Sequence, residues 1–142
     1  MRIFLDANIL FSAAKSSGAV HQLLERLIVQ KHVLCADEYV VIEARRNLLA
    51  KADAKAINRL DAWLGKLEVS PARPDATSAA NTAWLPEKDR PVLAAAIRLR
   101  CDALVTGDVT HFGKGFGKTF SGVRIYSPRL LFDALPMQRK GK

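Results

Sequence analysis

Apolar positions along the chain follow two alternating patterns, short runs and longer segments with helical spacing. The short runs lack that spacing, which is typical of buried strands. In the longer segments apolar residues recur at i, i+3, i+4 and i+7, as in an amphipathic helix. The predicted strands cover residues 2–6, 32–35, 67–70, 103–106 and 123–127. Strands that alternate with helices indicate an α/β fold, in which a parallel sheet lies between two layers of helices.

Capping residues predict where the first helices begin. Ser16 or Ser17 can cap a helix whose apolar stripe runs through residues 20–28. Asp37 and Asp53 can cap the next two helices, because each precedes a segment with helical spacing. The first half of the chain is therefore predicted to hold three helices.

Two segments are less regular. Residues 77–88 fit either a short helix or a loop, and the glycine-rich residues 113–122 predict a flexible loop. The second segment has some likeness to a phosphate-binding P-loop. Only three residues separate Gly113 from the Gly117–Lys118–Thr119 triplet, whereas the P-loop pattern has four, and the segment leads into a strand instead of a helix. Nucleotide binding at this loop is therefore set aside.

Composition limits the class of protein. The 142 residues are 49% apolar and 25% charged, which is typical of a globular domain and excludes disorder. We expect one domain over residues 1–135, followed by a basic tail at residues 136–142, with neither a membrane span nor a signal peptide. Cys35 and Cys101 lack the spacing of a zinc site, so we expect buried free thiols in a cytoplasmic protein.

Positive charge is concentrated near the C-terminus. Residues 109–142 hold seven basic residues and one acidic residue, which is +6 of the net charge of +8. A one-sided basic surplus favours contact with a polyanion, although the last few residues alone are also typical of a solubilising tail.

Four carboxylates are candidates for a functional site. Asp6 ends the first predicted strand and Asp108 follows the fourth, so both belong to the sheet edge where α/β proteins bind ligands. Glu43 lies within an otherwise apolar and basic helical segment, and Asp89 begins the helix before the fourth strand. Each also has a purely structural interpretation: Asp89 can be a helix cap, and Glu43 can be a solvated residue paired along its helix.

Four motifs taken together resemble a known family. In order, "FLDANIL", "YVVIEARRNLL", "KDRPVLAAAI" and "LVTGDVTHF" resemble the PIN-domain ribonucleases, and among these the chain is similar to the VapC-type toxins of toxin–antitoxin systems. The likeness runs from Ile3 to about Leu131. It implies a three-layer α/β/α, Rossmann-like fold with a parallel sheet of about five strands in the order 3-2-1-4-5. In that order the first and fourth strands are neighbours.

The resemblance also implies roles for the acidic residues. The catalytic positions of the family fall on Asp6, Glu43, Asp89 and Asp108. Of these, Asp6, Asp89 and Asp108 are expected to bind Mg²⁺ or Mn²⁺, since clustered carboxylates repel one another and hard divalent cations prefer oxygen ligands. Glu43 would bind a second ion, orient the attacking water or act as a base.

Other residues are assigned to supporting roles. Asn8 and Thr106 match polar positions of the family and are expected to hydrogen-bond to the metal-binding carboxylates. Lys114 and Lys118 are expected to contact RNA phosphates. Glu87, two residues before Asp89, is a second candidate for the role of that residue.

The function implied is a Mg²⁺- or Mn²⁺-dependent endoribonuclease, acting as the toxin of a type II toxin–antitoxin pair. Expected partners are an RNA substrate, an antitoxin protein and a second copy of the chain in a homodimer. Two alternatives stay open: a PIN-like RNA-binding or regulatory module without turnover, and a metal-dependent nuclease outside any toxin–antitoxin pair.

Two further features of the motifs bear on the chemistry. In "FLDAN" the residue two after the aspartate is Asn8, which argues against phosphatases that need a second aspartate as acid and base. His111 lies close to Asp108 in "GDVTHF", where contact with substrate and a capping or packing role are both compatible with the sequence.

Overall fold

The computed structural model describes residues 1–73 and 79–136, and it has a central sheet with helices on both sides. The strands are β1 (Arg2–Leu5), β2 (Val33–Asp37), β3 (Glu68–Ser70), β4 (Ala103–Val105), β5 (Thr119–Phe120) and β6 (Val123–Tyr126). Their order in the sheet is β3-β2-β1-β4-β6-β5. All neighbouring pairs are parallel except β5 and β6. The predicted α/β/α fold and the central position of the first and fourth strands are confirmed.

Helices connect the strands. They are α1 (Ala7–Lys15), α2 (Ala19–Val29), α3 (Glu38–Lys51), α4 (Ala54–Leu64), α5 (Ala79–Thr82), α6 (Arg90–Arg98), α7 (Val109–Phe112) and α8 (Pro128–Ala134). A 3-10 turn, Glu87–Asp89, precedes α6. Asp37 and Asp53 cap α3 and α4 as predicted, each accepting a backbone N–H of the first turn. All helices among the described residues are too short or too polar to cross a lipid bilayer.

Helix α1 was absent from the sequence prediction. It begins immediately after Asp6, whose side chain caps it, and it buries Ile9, Leu10, Ala13 and Ala14. Its polar and small residues dilute the apolar pattern, and packing against α2, α3 and α4 contributes more to this helix than strong periodicity does. The prediction that Ser16 or Ser17 caps the next helix was wrong as well.

Gly18 is the N-cap of α2, and it offers no side chain for a capping hydrogen bond. The residues before it end α1, since the backbone N–H of Ser16 still donates to Ser12. The two serines therefore lie in the short connection between the helices. The apolar stripe predicted for α2 is present, with Leu23, Leu24 and Leu27 buried.

Within residues 1–73 and 79–136 the sheet has six strands, one more than the resemblance implied. The extra strand, β5, lies at the edge and pairs antiparallel with β6. A two-residue turn joins them, with φ of 47° at Ser121 and 85° at Gly122. Two positive φ values are typical of the tight hairpin turn whose twist suits flanking strands. Part of the segment predicted as a flexible loop is therefore a hairpin.

Aromatic packing holds the rest of that segment. Trp84 stacks on Phe120 with ring centroids 5.1 Å apart and meets Phe112 edge-on at 6.2 Å. Gly115 is so close to Trp84 that a Cβ added there would lie 2.5 Å from the indole Cη2. The predicted flexible loop is thus packed against the segment before α6, and only glycine allows the close approach.

The core lies on both faces of the central strands. Ile3, Phe4 and Leu5 of β1 are fully buried, as are Leu104 and Val105 of β4. Continuous burial is expected for central parallel strands covered by helices on both sides. Cys35 and Cys101 are free and buried, as predicted. The polar strand ends are the exception to this apolar interior, and they form the candidate site.

Candidate metal centre

Strand register brings two of the predicted acids together. Leu5 pairs with Val105 where β1 and β4 end, and the backbone N–H of Asp6 donates to the Val105 carbonyl at 3.1 Å. Asp108 follows Val105 by three residues on the same edge. The strand ends at Asp6 and Asp108 therefore lie side by side, at the point where the sheet order reverses and ligands bind in this class of fold.

Both oxygens of the Asp6 carboxylate accept hydrogen bonds. Oδ1 accepts the backbone N–H of Ala7 at 2.7 Å, which caps α1. Oδ2 accepts from the Thr106 hydroxyl at 2.8 Å and from the Asn8 amide at 3.3 Å. The residue is only 5% exposed. Asp6 is therefore held in one orientation by groups from both sides of the β1–β4 pair.

Asn8 and Thr106 extend this network to the turn after β4. The Asn8 Oδ1 accepts the backbone N–H of Gly107 at 2.7 Å. The Thr106 hydroxyl oxygen accepts the backbone N–H of Asp108 at 3.1 Å. The two side chains therefore link Asp6 to the backbone that carries Asp108, and their role in supporting a metal-binding carboxylate stays a prediction.

Burial makes it costly for Asp6 to carry a charge. It raises the pKa of this carboxyl to about 6, against the lowering effect of the hydrogen bonds from Thr106 and Ala7. The nearby charges of Glu43 and Asp89 raise the pKa further. A cation bound beside Asp6 would lower this pKa, because it would compensate both the lost hydration and the repulsion.

Asp89 and Asp108 meet at a histidine. The Nδ1 atom of His111 lies 2.9 Å from Oδ2 of Asp89 and 2.9 Å from Oδ2 of Asp108. One ligand atom from each of the three residues lies within 4.8 Å of the other two. We refer to Asp89, Asp108 and His111 as the aspartate–histidine cluster. It joins the start of α6 to the turn after β4.

Local structure explains the positions in this cluster. Asp108 is the N-cap of α7, and its Oδ1 accepts the backbone N–H of His111 at 3.0 Å. That capping turn folds the His111 side chain back toward the second oxygen of Asp108. Asp89 makes no capping hydrogen bond, although it begins α6. The cap interpretation of Asp89 is therefore wrong, since its carboxylate instead faces His111.

The turn that carries Asp89 is tied to α3. The Tyr39 hydroxyl donates to the Lys88 carbonyl at 2.7 Å, one residue before Asp89. Burial raises the pKa of the Asp89 carboxyl, which the His111 side chain opposes and the Asp108 charge reinforces. Glu87, the other candidate in this turn, is exposed. The structure thus brings Asp89, and not Glu87, to the cluster.

Glu43 lies on α3 and is half-buried. Its charge raises the pKa of Asp6 and of Tyr39, so it is close to both. The four predicted acids therefore share one electrostatic environment, but in two arrangements: Asp6 is enclosed by hydrogen bonds, and Asp89 and Asp108 belong to the aspartate–histidine cluster.

Sequence reasoning gave His111 no definite role. The available signal was its spacing from Asp108, because a residue three positions after an N-cap lies above that cap in the first turn. Lys114 and Lys118, predicted to contact RNA, are both exposed in the segment after α7. The basic tail lies outside the described residues for all positions after Pro136.

Known protein structures share this architecture. The chain is similar to VapBC2 from Rickettsia felis bound to a DNA fragment from its promoter, with a TM-score of 0.62 and 19% identity over 89% of this chain and 98% of that chain. It is similar to VapC20 from Mycobacterium tuberculosis, a sarcin–ricin loop cleaving toxin, with a TM-score of 0.59 and 16% identity over 82% and 98% of the two chains. It is also similar to VapBC-1 from nontypeable Haemophilus influenzae, with a TM-score of 0.61 and 14% identity over 91% of this chain and 99% of that chain.

Sequence comparison gives the family. No curated protein matches the chain. The sequence profile of the PIN domain matches residues 2–110, which include Asp6, Glu43, Asp89 and Asp108. That match spans well over half of the chain, and the sheet order and the acidic strand ends agree with it. The chain therefore belongs to the PIN domain family.

Proposed function

We propose that this protein is a divalent-metal-dependent endoribonuclease and the toxin of a type II toxin–antitoxin pair. One observation carries the nuclease proposal: Asp6 and Asp108 leave adjacent strands at the same sheet edge, and Asp89 is drawn to Asp108 through His111. Such a concentration of carboxylates is unfavourable without a cation and favourable with one.

The residues present fit a divalent cation. Among the described residues, Asp89 Oδ2 and His111 Nδ1 are shielded from solvent and yet have no hydrogen-bond partner. Their 2.9 Å separation falls outside the angle of a well-directed N–H···O bond, and a cation would supply a better-oriented partner. Asp89 and Asp108 would hold this ion, with Asp6 beside it. When bound, the ion would position the scissile phosphate, compensate its growing charge and acidify a water molecule.

The protein groups around the site would orient the Asp6 carboxylate and accept a proton from the attacking water. Thr106 and Asn8 keep the Asp6 carboxylate in one orientation, so it needs no reordering when substrate arrives. Glu43 is half-buried and in electrostatic contact with Asp6. It would therefore accept the proton of the attacking water or hold a second ion, as its family position implies.

RNA as the substrate is supported by charge and by likeness. Residues 109–142 carry most of the net charge of +8, and exposed Lys114 and Lys118 follow directly after the cluster. Lysines at that position would contact the backbone phosphates of a bound RNA. VapC20, a structural relative, is a sarcin–ricin loop cleaving toxin, and we extend the substrate class, RNA, to this chain.

An antitoxin partner is supported by the nature of the structural relatives. Several of them are VapBC or FitAB complexes, including complexes bound to DNA. We propose that this chain likewise binds a protein inhibitor and forms a homodimer that aligns two basic margins along one RNA. A small reading frame beside the gene, whose product suppresses the toxicity of this chain on co-expression, would support the pairing. Toxicity unchanged by that product would contradict it.

The nuclease proposal is tested by RNA cleavage. The purified full-length chain is incubated with diverse structured RNAs in Mn²⁺, in Mg²⁺ and in a chelator, and cleavage is followed on gels. We expect metal-dependent cleavage that Asp6→Asn largely removes. Asp102→Asn is the matched control, since Asp102 lies at the opposite end of β4 and accepts the backbone N–H of Arg2. Undiminished cleavage by Asp6→Asn would contradict the site, and binding without cleavage would favour a regulatory RNA-binding module.

A further inference from the structure

The His111 imidazole lies close enough to both acids to share a metal ion with them. Its Nδ1 lies 2.9 Å from one oxygen of Asp89 and 2.9 Å from one oxygen of Asp108. Adjacent ligands at right angles around an ion with bonds of about 2.1 Å are about 3.0 Å apart. The two 2.9 Å spacings from His111 Nδ1 therefore match those between adjacent donors to a single ion.

Two details distinguish this arrangement from an ordinary ion pair. Within the described part of the chain, His111 Nδ1 and Asp89 Oδ2 are both buried and lack a hydrogen-bond partner despite their proximity. In addition, the backbone N–H of His111 is committed to Asp108 Oδ1, so the capping turn holds the ring where it is. An ordinary buried ion pair would satisfy its N–H with a directed bond.

We propose that His111 Nδ1, together with Asp89 and Asp108, coordinates the divalent ion, and that this nitrogen makes the site prefer Mn²⁺ or a similar transition-metal ion over Mg²⁺. The inference rests on the proposed metal-dependent function. Its chemical basis is that Mg²⁺ strongly prefers oxygen donors, whereas imidazole nitrogen is a good ligand for first-row transition metals. Carboxylates alone would discriminate far less between the two ions.

The competing interpretation is that His111 is a counter-ion for the two acids. In that case it would be displaced by the metal and would oppose metal binding. Lys88 is a further positive group near Asp89, where its charge lowers the pKa of that carboxyl. The two interpretations predict opposite changes when His111 is replaced, because losing a ligand weakens metal binding and losing a competing cation strengthens it.

The first measurement is metal affinity without any RNA. Titration calorimetry on the full-length chain gives the Kd for Mn²⁺ and Mg²⁺ in the wild type and in His111→Ala and His111→Asn. We expect tighter binding of Mn²⁺ than of Mg²⁺ by the wild type. His111→Ala should weaken Mn²⁺ binding at least about tenfold. His111→Asn puts an oxygen near the position of Nδ1, so Mg²⁺ binding should be retained while the preference for Mn²⁺ falls.

The second measurement detects the nitrogen directly. Pulsed electron paramagnetic resonance of the Mn²⁺-loaded protein should show modulation from a coordinated nitrogen, which His111→Asn should abolish. His32→Asn is the control, since His32 precedes β2 at the opposite edge of the sheet and contacts the N-terminal amine. Circular dichroism of each variant separates loss of the ligand from loss of the fold, and His111→Asn provides a second variant if His111→Ala does not fold.

The outcomes separate this inference from the function proposed above. A nitrogen signal that persists in both His111 variants, or a tighter Mn²⁺ site after the substitution, would overturn the role of His111. Metal binding with a His111-dependent nitrogen signal, but no cleavage of any RNA tested, would uphold the ligand and contradict the ribonuclease proposal. RNA cleavage with equal Mn²⁺ and Mg²⁺ affinities and no nitrogen signal would do the reverse.

Discussion

Asp6 and the aspartate–histidine cluster lie at the same sheet edge, yet their buried polar atoms differ in how fully the protein hydrogen-bonds them. Asp6 is only 5% exposed, and both of its oxygens accept hydrogen bonds from the protein. In the cluster, by contrast, Asp89 Oδ2 and His111 Nδ1 are close and buried without hydrogen bonding, within the described residues. The Asp6 carboxylate is thus fully hydrogen-bonded by the protein, whereas the cluster can still bind a further partner.

The difference indicates that Asp6 and the cluster have different roles in the proposed site. A carboxylate held by Thr106, Asn8 and Ala7 has a defined direction before any ligand arrives. A cluster whose buried carboxylate oxygen and ring nitrogen lack a well-directed hydrogen bond gains most when a cation binds, because coordination then compensates the repulsion and the lost hydration. We therefore expect Asp6 to act mainly on orientation and electrostatics, and the cluster to dominate metal affinity.

Removing one charge from the cluster should have the largest effect. Asp108→Asn keeps an oxygen that can cap α7 but removes the negative charge next to His111. We expect RNA cleavage to fall about a thousandfold, equivalent to about 4 kcal/mol of transition-state stabilisation. Single-turnover cleavage in saturating Mn²⁺ measures the effect, with Asp102→Asn as control. A loss of less than about tenfold would show that the cluster is not the centre of the reaction.

The charge of Asp6 should make the metal-free protein less stable as pH rises. Its pKa in the folded state is about 6, above the ordinary value of 3.8. Between about pH 4 and pH 6 the folded state thus holds a proton that the unfolded state has released. Stability falls across this window by about 3 kcal/mol and is constant above it. Other acids also change the folding stability with pH, so the quantity to follow is the difference in the free energy of unfolding between wild type and Asp6→Asn.

Urea denaturation of both proteins from pH 4 to pH 8 measures that difference. The stability of Asp6→Asn should increase relative to that of the wild type as pH rises. Saturating Mn²⁺ should restore to the wild type, at neutral pH, the stability that it loses without metal. A difference that does not change with pH would mean that Asp6 carries no burial penalty in the fold.

The hydrogen bonds around Asp6 can be weakened without replacing its carboxyl group. Thr106→Val keeps the shape of a fully buried side chain but removes the hydroxyl that donates to Asp6 and accepts from Asp108. We expect the free energy of unfolding to fall by about 1–3 kcal/mol. Urea denaturation without metal measures the loss, and Thr110→Val, at an exposed position, should change little. Equal stability of the two variants would contradict the network.

The exposed lysines beside the cluster should give the smallest effects. Lys114→Gln and Lys118→Gln should each weaken RNA binding a few-fold and reduce its salt dependence by about one counterion. Filter binding in a series of salt concentrations, with metal left out to prevent cleavage, measures both quantities. Lys55→Gln, at an exposed position of α4, is the control. An equal salt dependence for all three variants would show that Lys114 and Lys118 do not contact RNA.

The fold was predictable where the chain pattern and the tertiary structure agree. β1 and β4 are apolar and fully buried, so their pattern is unambiguous. Helix α1 and the short strand β5 were not predicted, because α1 is defined by its packing and the two residues of β5 by a contact with a distant residue, Trp84, which stacks on Phe120. The segment from Gly113 looked flexible for the same reason: its anchor, Trp84, is remote in sequence.

The sequence alone determined which acids end strands and which lie on helices, because strand and helix patterns are local properties of the chain. It also carried the family motifs, and the family follows from residues 2–110. Only the tertiary structure decided that Asp89 faces His111 instead of capping α6, and that Asp6 is enclosed by Thr106 across the sheet. Those contacts join residues up to 100 positions apart, and their distances depend on how strands and helices pack, which no local pattern encodes.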